Sequence, residues 1–251
     1  VRPPRSVWLR AKPVGKLFTA KGQALEGLST LDEVIAAYLP GAEPHVFPAG
    51  HAKLIPAGSE PARPVVLDVG CGQGKSFKPL QERFAPQRLI GIDFEPACIE
   101  RALEQAAKDR VAVEIQRGDA AALALPDESV DLVFCHQTFH HLVRQREALA
   151  EFRRVLKPGG LLLFAESTRA YIYSWLIRLL FRHPMDVQRS AEEYMAMIRE
   201  AGFRFGPENV SFPYLWWSRS DLGAVEWWGF GVPRQGEREE TLINLVATKT
   251  A

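Results

Sequence analysis

A short strand-like run, Val65-Val66-Leu67-Asp68-Val69, breaks at once into Gly70-Cys71-Gly72-Gln73-Gly74. The run reads as a buried β-strand, and the three alternating glycines read as a turn that opens a helix. Glycine reaches positive φ without steric cost and has no side chain to hold a ligand away. Such a turn therefore brings bare backbone N–H groups against whatever it binds. Few folds place this pattern at the end of an apolar strand, and most of them are parallel α/β sheets.

The residues downstream support that architecture. Arg88-Leu89-Ile90-Gly91-Ile92-Asp93 is a second strand ending on a carboxylate. An acid about 20 residues past a glycine turn can accept hydrogen bonds from ribose hydroxyls. Val111-Ala112-Val113-Glu114-Ile115 alternates with period two and runs into Gly118-Asp119-Ala120. A fourth strand, Val130 to Cys135, precedes His136, and a fifth, Leu161 to Ala165, follows the breaker Lys157-Pro158-Gly159-Gly160. Helical stretches separate these short apolar runs, so the spacing predicts a largely parallel sheet covered on both faces.

Two nucleotide-binding alternatives fit less well. A nicotinamide dehydrogenase uses Gly-x-Gly-x-x-Gly, whose third glycine permits close helix–strand packing. Here Lys75 stands at that third position. A P-loop requires GxxxxGK[ST], a spacing this turn lacks.

The full set of motifs resembles class I S-adenosylmethionine-dependent methyltransferases, in particular the small-molecule group around the quinone-biosynthesis enzymes. The matching residues are Leu67 to Gly74, Gly91-Ile92-Asp93, Gly118-Asp119-Ala120, Leu125-Pro126-Asp127-Glu128-Ser129-Val130-Asp131, Phe139-His140-His141-Leu142 and Leu156-Lys157-Pro158-Gly159-Gly160-Leu161. They follow one another in order across roughly residues 64–167, and the likeness thins on both sides. The resemblance implies an α/β, Rossmann-like, doubly wound seven-stranded sheet, mostly parallel with an antiparallel last strand. It adds an N-terminal extension and lid insertions.

It also implies a cofactor, S-adenosyl-L-methionine, with S-adenosyl-L-homocysteine as its product. Gly70, Gly72 and Gly74 would permit close approach of its methionine end, and Asp68 would attract its ammonium. By the same resemblance Asp93 takes the ribose hydroxyls and Phe94 lies against the adenine. Asp119 accepts the adenine amino group, and Ala120 supplies a backbone contact.

Methyl transfer needs alignment more than acid–base machinery, so a missing triad is no argument against catalysis. The loop after the fourth strand, His136-Gln137-Thr138-Phe139-His140-His141, should face the transferred methyl, because ligands bind beyond the carboxyl ends of parallel strands. His136, His141 and Glu166 are the candidate catalytic residues, each weighed against a structural role. Tyr171, Tyr173 and His183 are weaker candidates in the lid. His136 and His140 have i,i+4 spacing, but no third ligand accompanies them in sequence, so no metal site is expected.

This loop lacks the Asn/Asp-Pro-Pro-Tyr/Phe motif of many enzymes that methylate adenine or glutamine amides. The formal net charge of +1 gives no pull toward nucleic acid. The expected acceptor is thus a small, apolar or aromatic molecule, walled by aromatics such as Trp175, Phe212, Trp216-Trp217 and Trp227-Trp228. Two alternatives stay open: a module that binds the cofactor or its product without catalysis, and a nucleic-acid or protein methyltransferase.

Residues 1–62 read as an N-terminal extension or cap, with a short helix led by Thr30-Leu31-Asp32-Glu33. Residues 63–251 read as the methyltransferase domain, its motifs at 64–167 and its lid and C-terminal strands at 168–251. Ile172, Trp175, Leu176, Leu179 and Leu180 share a helical face. Ser190-Ala191-Glu192-Glu193 is a capping box before a helix stopped by Gly202, and Val210–Trp217 and Leu242–Ala247 are the expected final strands. Three cysteines without a CxxC pair predict a reducing, cytoplasmic setting. The apolar run near 172–181 is too short to span a bilayer, which leaves peripheral membrane contact open, as it does oligomeric state.

Overall fold

The computed structural model describes residues 54–180, 183–213, 228, 237–238 and 240–250. The expected helix after Thr30, most of the extension, and Trp216, Trp217 and Trp227 lie outside the described residues. The strands are β1 (Val65–Val69), β2 (Arg88–Asp93), β3 (Glu114–Arg117), β4 (Val130–His136), β5 (Leu156–Ser167), β6 (Phe203–Arg204), β7 (Val210–Ser211) and β8 (Leu242–Lys249). The helices are α1 (Phe77–Phe84), α2 (Pro96–Asp109), α3 (Gln145–Val155), α4 (Arg169–Ile172), α5 (Trp175–Leu180) and α6 (Ala191–Glu200).

All strands share one sheet in the order β3-β2-β1-β4-β5-β8-β6, with β7 also paired to β8. The first five strands run parallel, and β8 is antiparallel to β5, β6 and β7. The chain moves outward from β1 to β3, then returns to place β4 on the other side of β1. The strand order thus reverses between β1 and β4, the position where open parallel sheets bind ligands.

Strand alternation divides the core into two layers. Leu67, Val69, Val133, Leu162, Phe164 and Leu245 pack with Leu149 and Phe152 of α3 and Tyr194 and Ile198 of α6. On the opposite face, Val66, Leu132, Phe134, Leu163 and Val246 meet Phe77 and Leu80 of α1 and Ala102 and Ala106 of α2. Because β1 is buried at all five positions, it reads as continuous hydrophobicity with one acid in it. Each fully buried large apolar side chain contributes about 1.5–3 kcal/mol, so these two layers dominate the stability.

Three details differ from the sequence expectation. β3 begins three residues later than predicted, because the Val111 N–H still bonds the Ala106 carbonyl at the end of α2. The supposed breaker at Lys157-Pro158-Gly159-Gly160 lies within β5, where the pairing skips from Val130–Leu156 to Leu132–Leu161 and Gly159 takes φ +76°. The sheet has eight strands rather than seven, since the short β6 adds to the edge of β8.

The lid segment breaks into α4 and α5 around Tyr173 and Ser174 rather than forming one helix. The Ser190 capping box forms as expected: Ser190 Oγ accepts from the Glu193 N–H, and the Glu193 carboxylate accepts from the Ser190 N–H. Gly202 follows α6 at φ +88°. Among the described residues no helix is long and apolar enough to cross a membrane.

Candidate functional site

The glycine turn closes over the end of β2. The N–H groups of Gly70 and Cys71 donate to the Ile92 carbonyl, and the Gly72 N–H donates to Asp93 Oδ2 at 2.9 Å. Gly70, Gly72 and Gly74 all have positive φ, but for different reasons. A Cβ on Gly70 would fall 2.1 Å from the Thr138 side chain, and one on Gly74 would strike Phe77. On Gly72 it would meet nothing nearer than the Gly70 carbonyl at 4.0 Å, so the space beside this N–H is open. Gly70 and Gly74 serve packing, and Gly72 leaves a cradle.

Carboxylates surround that cradle. Asp93 is buried, and its Oδ1 accepts from the Glu95 N–H at 2.9 Å. Burial raises its pKa, while the backbone N–H groups of Glu95 and Gly72 act against the rise. The Asp93 carbonyl accepts from the Gly118 N–H, which brings the next acid, Asp119, beside the end of β2. Asp119 accepts from the Ala121 N–H at 2.8 Å and from Arg144 at 2.5 Å. Phe94 lies under the Arg117 guanidinium, 5.4 Å from ring centroid to Cζ, and Ala120 is buried.

Asp68, at the end of β1, is 2 % exposed and accepts from the Ser76 hydroxyl at the start of α1. Burial pushes its carboxyl up to about 7, with Asp93 adding to the rise and Ser76 opposing it. A buried acid with a single side-chain partner is suited to a cation. The cradle at Gly72 and this carboxyl fit the methionine end of S-adenosylmethionine, and the acids at Asp93 and Asp119 fit its hydroxyl and amino groups.

The loop after β4 meets the glycine turn across the strand reversal. Gln137 turns the chain with φ +51°, and the Thr138 hydroxyl lies 3.1 Å from both the Gly70 and the His136 carbonyls. His136 is half-buried and stacks on Phe134. His136 ends a strand and His140 sits in a 3-10 turn (Phe139–His141), so the two do not share a helical face.

Glu166 stands behind this loop and is fully buried. Its Oε1 accepts from the N–H groups of Thr138 (2.7 Å) and Phe139 (2.6 Å), and Oε2 lies 2.5 Å from His140 Nδ1. Burial raises the Glu166 pKa to about 7 and lowers that of His140 to about 3. Both carboxylate oxygens are occupied by the loop, so Glu166 positions it.

His141 and His183 complete a cluster with His140. Ring centroids lie 4.1 Å apart for His140–His141, 5.0 Å for His141–His183 and 5.3 Å for His140–His183. Sequence reasoning paired the wrong histidines, because His183 is distant in the chain. The missing signal was the return of the segment after α5 onto the β4 loop. Tyr171 is buried, whereas Tyr173 is exposed and donates to the Met185 carbonyl.

Comparisons with known proteins agree with this geometry. Residues 67–164 match the family described as "Methyltransferase domain". The chain is 34% identical to a demethylmenaquinone methyltransferase of Deinococcus radiodurans, over 47% of this chain and 50% of that protein. It is 38% identical to a malonyl-[acyl-carrier protein] O-methyltransferase of Coxiella burnetii, over 40% of this chain and 32% of that protein. The matched stretch thus spans half or less of these curated relatives. A structure of a putative methyltransferase from Bacillus halodurans superposes with a TM-score of 0.59 at 19% identity, covering 81% of this chain and all of that one. Residues 67–164 are accordingly a methyltransferase domain of the class I, S-adenosylmethionine-dependent type.

Proposed function

We propose that this chain transfers a methyl group from S-adenosylmethionine to a small, apolar or aromatic molecule. One observation carries the reading: the open Gly72 cradle, the buried Asp68 and the N–H-bonded Asp93 meet at the strand reversal, under the β4 loop. The cofactor supplies a methyl on a positively charged sulfur, which needs an aligned nucleophile. Asp68 would hold the ammonium. Asp93 would face the ribose hydroxyls, and Phe94, Asp119 and Ala120 would line the adenine. The residues of the β4 loop would set the acceptor's approach and keep water out.

In this reading His136 and His141 face the acceptor, and Glu166 acts through the loop it holds. The names of the quinone and malonyl-carrier relatives favour a small acceptor. The free thiols Cys71, Cys98 and Cys135 favour a reducing, cytoplasmic setting.

Calorimetric titration with S-adenosylhomocysteine tests the binding half of the proposal. Asp93→Ala should weaken binding by about 100-fold, since it removes a charged acceptor and frees the Gly72 and Glu95 N–H groups. An absence of binding heat in the wild type, or unchanged affinity in the variant, would overturn the assignment. Transfer of labelled methyl into a low-molecular-weight extract fraction tests the acceptor class. Label in protein or nucleic acid instead would reject it.

A further inference from the structure

We propose that His140, His141 and His183 form a binding site for a divalent transition-metal ion of the zinc type, oriented by Glu166. One ligand nitrogen from each ring lies within 4.8 Å of those of the other two. A tetrahedral zinc ion with bonds of about 2.0–2.1 Å needs these nitrogens about 3.4 Å apart, so small ring rotations complete the geometry. The proposal rests on this cluster alone and does not depend on methyl transfer.

The surroundings have the features such a site requires. His140 Nδ1 is held by the Glu166 carboxylate at 2.5 Å, which leaves Nε2 as the ligating atom. A carboxylate behind a histidine in this way fixes the ring's orientation and raises its basicity as a ligand. Burial, reinforced by mutual repulsion, lowers the pKa of all three rings, to about 3 for His140 and about 4 for His183. The cluster is therefore uncharged at neutral pH, the form that binds metal.

The two segments that supply the ligands are tied together independently of any ion. Gln188 Nε2 donates to both the His140 and the Pro184 carbonyls, and Gln145 Nε2 donates to the Phe139 and Val187 carbonyls. Among the described residues the carboxamide oxygens of both glutamines are buried without a hydrogen-bond partner. His140 is buried, while His141 and His183 are only half-buried, which gives an ion a way in. Three imidazoles with a fourth position open match the pattern of zinc sites that keep a place for water or an exogenous ligand.

Tag-free protein, stripped with a chelator, is titrated with Co2+ and followed by visible absorption, then competed with Zn2+. The expected result is one ion per chain, with visible bands of tetrahedral intensity that Zn2+ abolishes. His183→Ala should weaken binding at least about 10-fold, and Glu166→Gln about 10- to 100-fold. Zn2+ should raise the melting temperature of the wild type and not that of the variant. Should His183→Ala fail to fold, His141→Ala takes its place. Absence of Co2+ and Zn2+ binding at about 100 µM would overturn the proposal, because structural zinc sites bind far more tightly. So would folded His183→Ala or His141→Ala that binds either metal as the wild type does.

Discussion

The carboxyl ends of β1 and β2 and those of β4 and β5 build their halves of the site by different means. In the first half, backbone does the work: Gly72 donates to Asp93, Glu95 donates to Asp93, and the Gly70 and Cys71 N–H groups cap β2. In the second, one buried side chain organises everything around it. Glu166 holds two loop N–H groups and His140, while Gln188 and Gln145 bind the returning segment. A backbone-built site tolerates side-chain change wherever φ permits. A site hung on one carboxylate should fail when that carboxylate is removed.

The largest expected effect tests that contrast. Glu166→Ala leaves two buried N–H groups and a buried imidazole without their acceptor, at a cost of about 3–5 kcal/mol. Glu166→Gln keeps a carbonyl oxygen for the two N–H groups and should cost about 1–2 kcal/mol. Urea unfolding of both variants reads the difference. If the alanine variant unfolds at nearly the wild-type midpoint, the second half is not organised by this residue.

A smaller effect distinguishes two glycines within the first half. Alanine at either Gly70 or Gly72 must adopt positive φ, costing about 1–2 kcal/mol. At Gly70 the new methyl also meets Thr138, which itself contacts the Gly70 carbonyl, so the total should reach about 3 kcal/mol. Gly72→Ala should therefore fold better than Gly70→Ala and yet bind S-adenosylhomocysteine poorly, because its methyl projects into the cradle. Equal loss of stability in the two would contradict the division between packing and cradle.

These differences also explain which parts of the molecule were legible in the chain. The glycine turn, Asp93 and the Ser190 capping box are set by residues a few positions apart or by one βα repeat, so their spacing appears in the sequence. Parallel pairing of five strands followed from apolar runs alone. The bulge within β5 was hidden because Pro158-Gly159-Gly160 reads as an end, although the strand passes through it. The histidine cluster was invisible for a different reason. Its members come from the β4 loop and from a segment beyond α5, joined by glutamines whose partners are carbonyls up to 48 positions away. No local pattern encodes such a contact.

The smallest effect is a pH dependence confined to the first half. The Asp68 carboxyl has an ordinary value of 3.8 and is raised to about 7 by burial, so the folded state favours its protonated form. Its contribution to stability is complete below the lower value and is lost as pH rises through the upper one. Asp68→Asn should flatten this fall, which is on the order of 2–4 kcal/mol for a shift of this size. Ligand binding should show the opposite slope. An ammonium beside Asp68 favours the ionised form, so affinity for S-adenosylhomocysteine should rise between about pH 5 and pH 8 in the wild type and stay flat in Asp68→Asn. Glu166 has the same direction of shift but lies in the other half, behind the loop, and should leave the binding slope unaltered when changed to glutamine. If Asp68→Asn keeps the wild-type slope while Glu166→Gln removes it, the titrating group belongs to the loop and the two halves are electrostatically coupled.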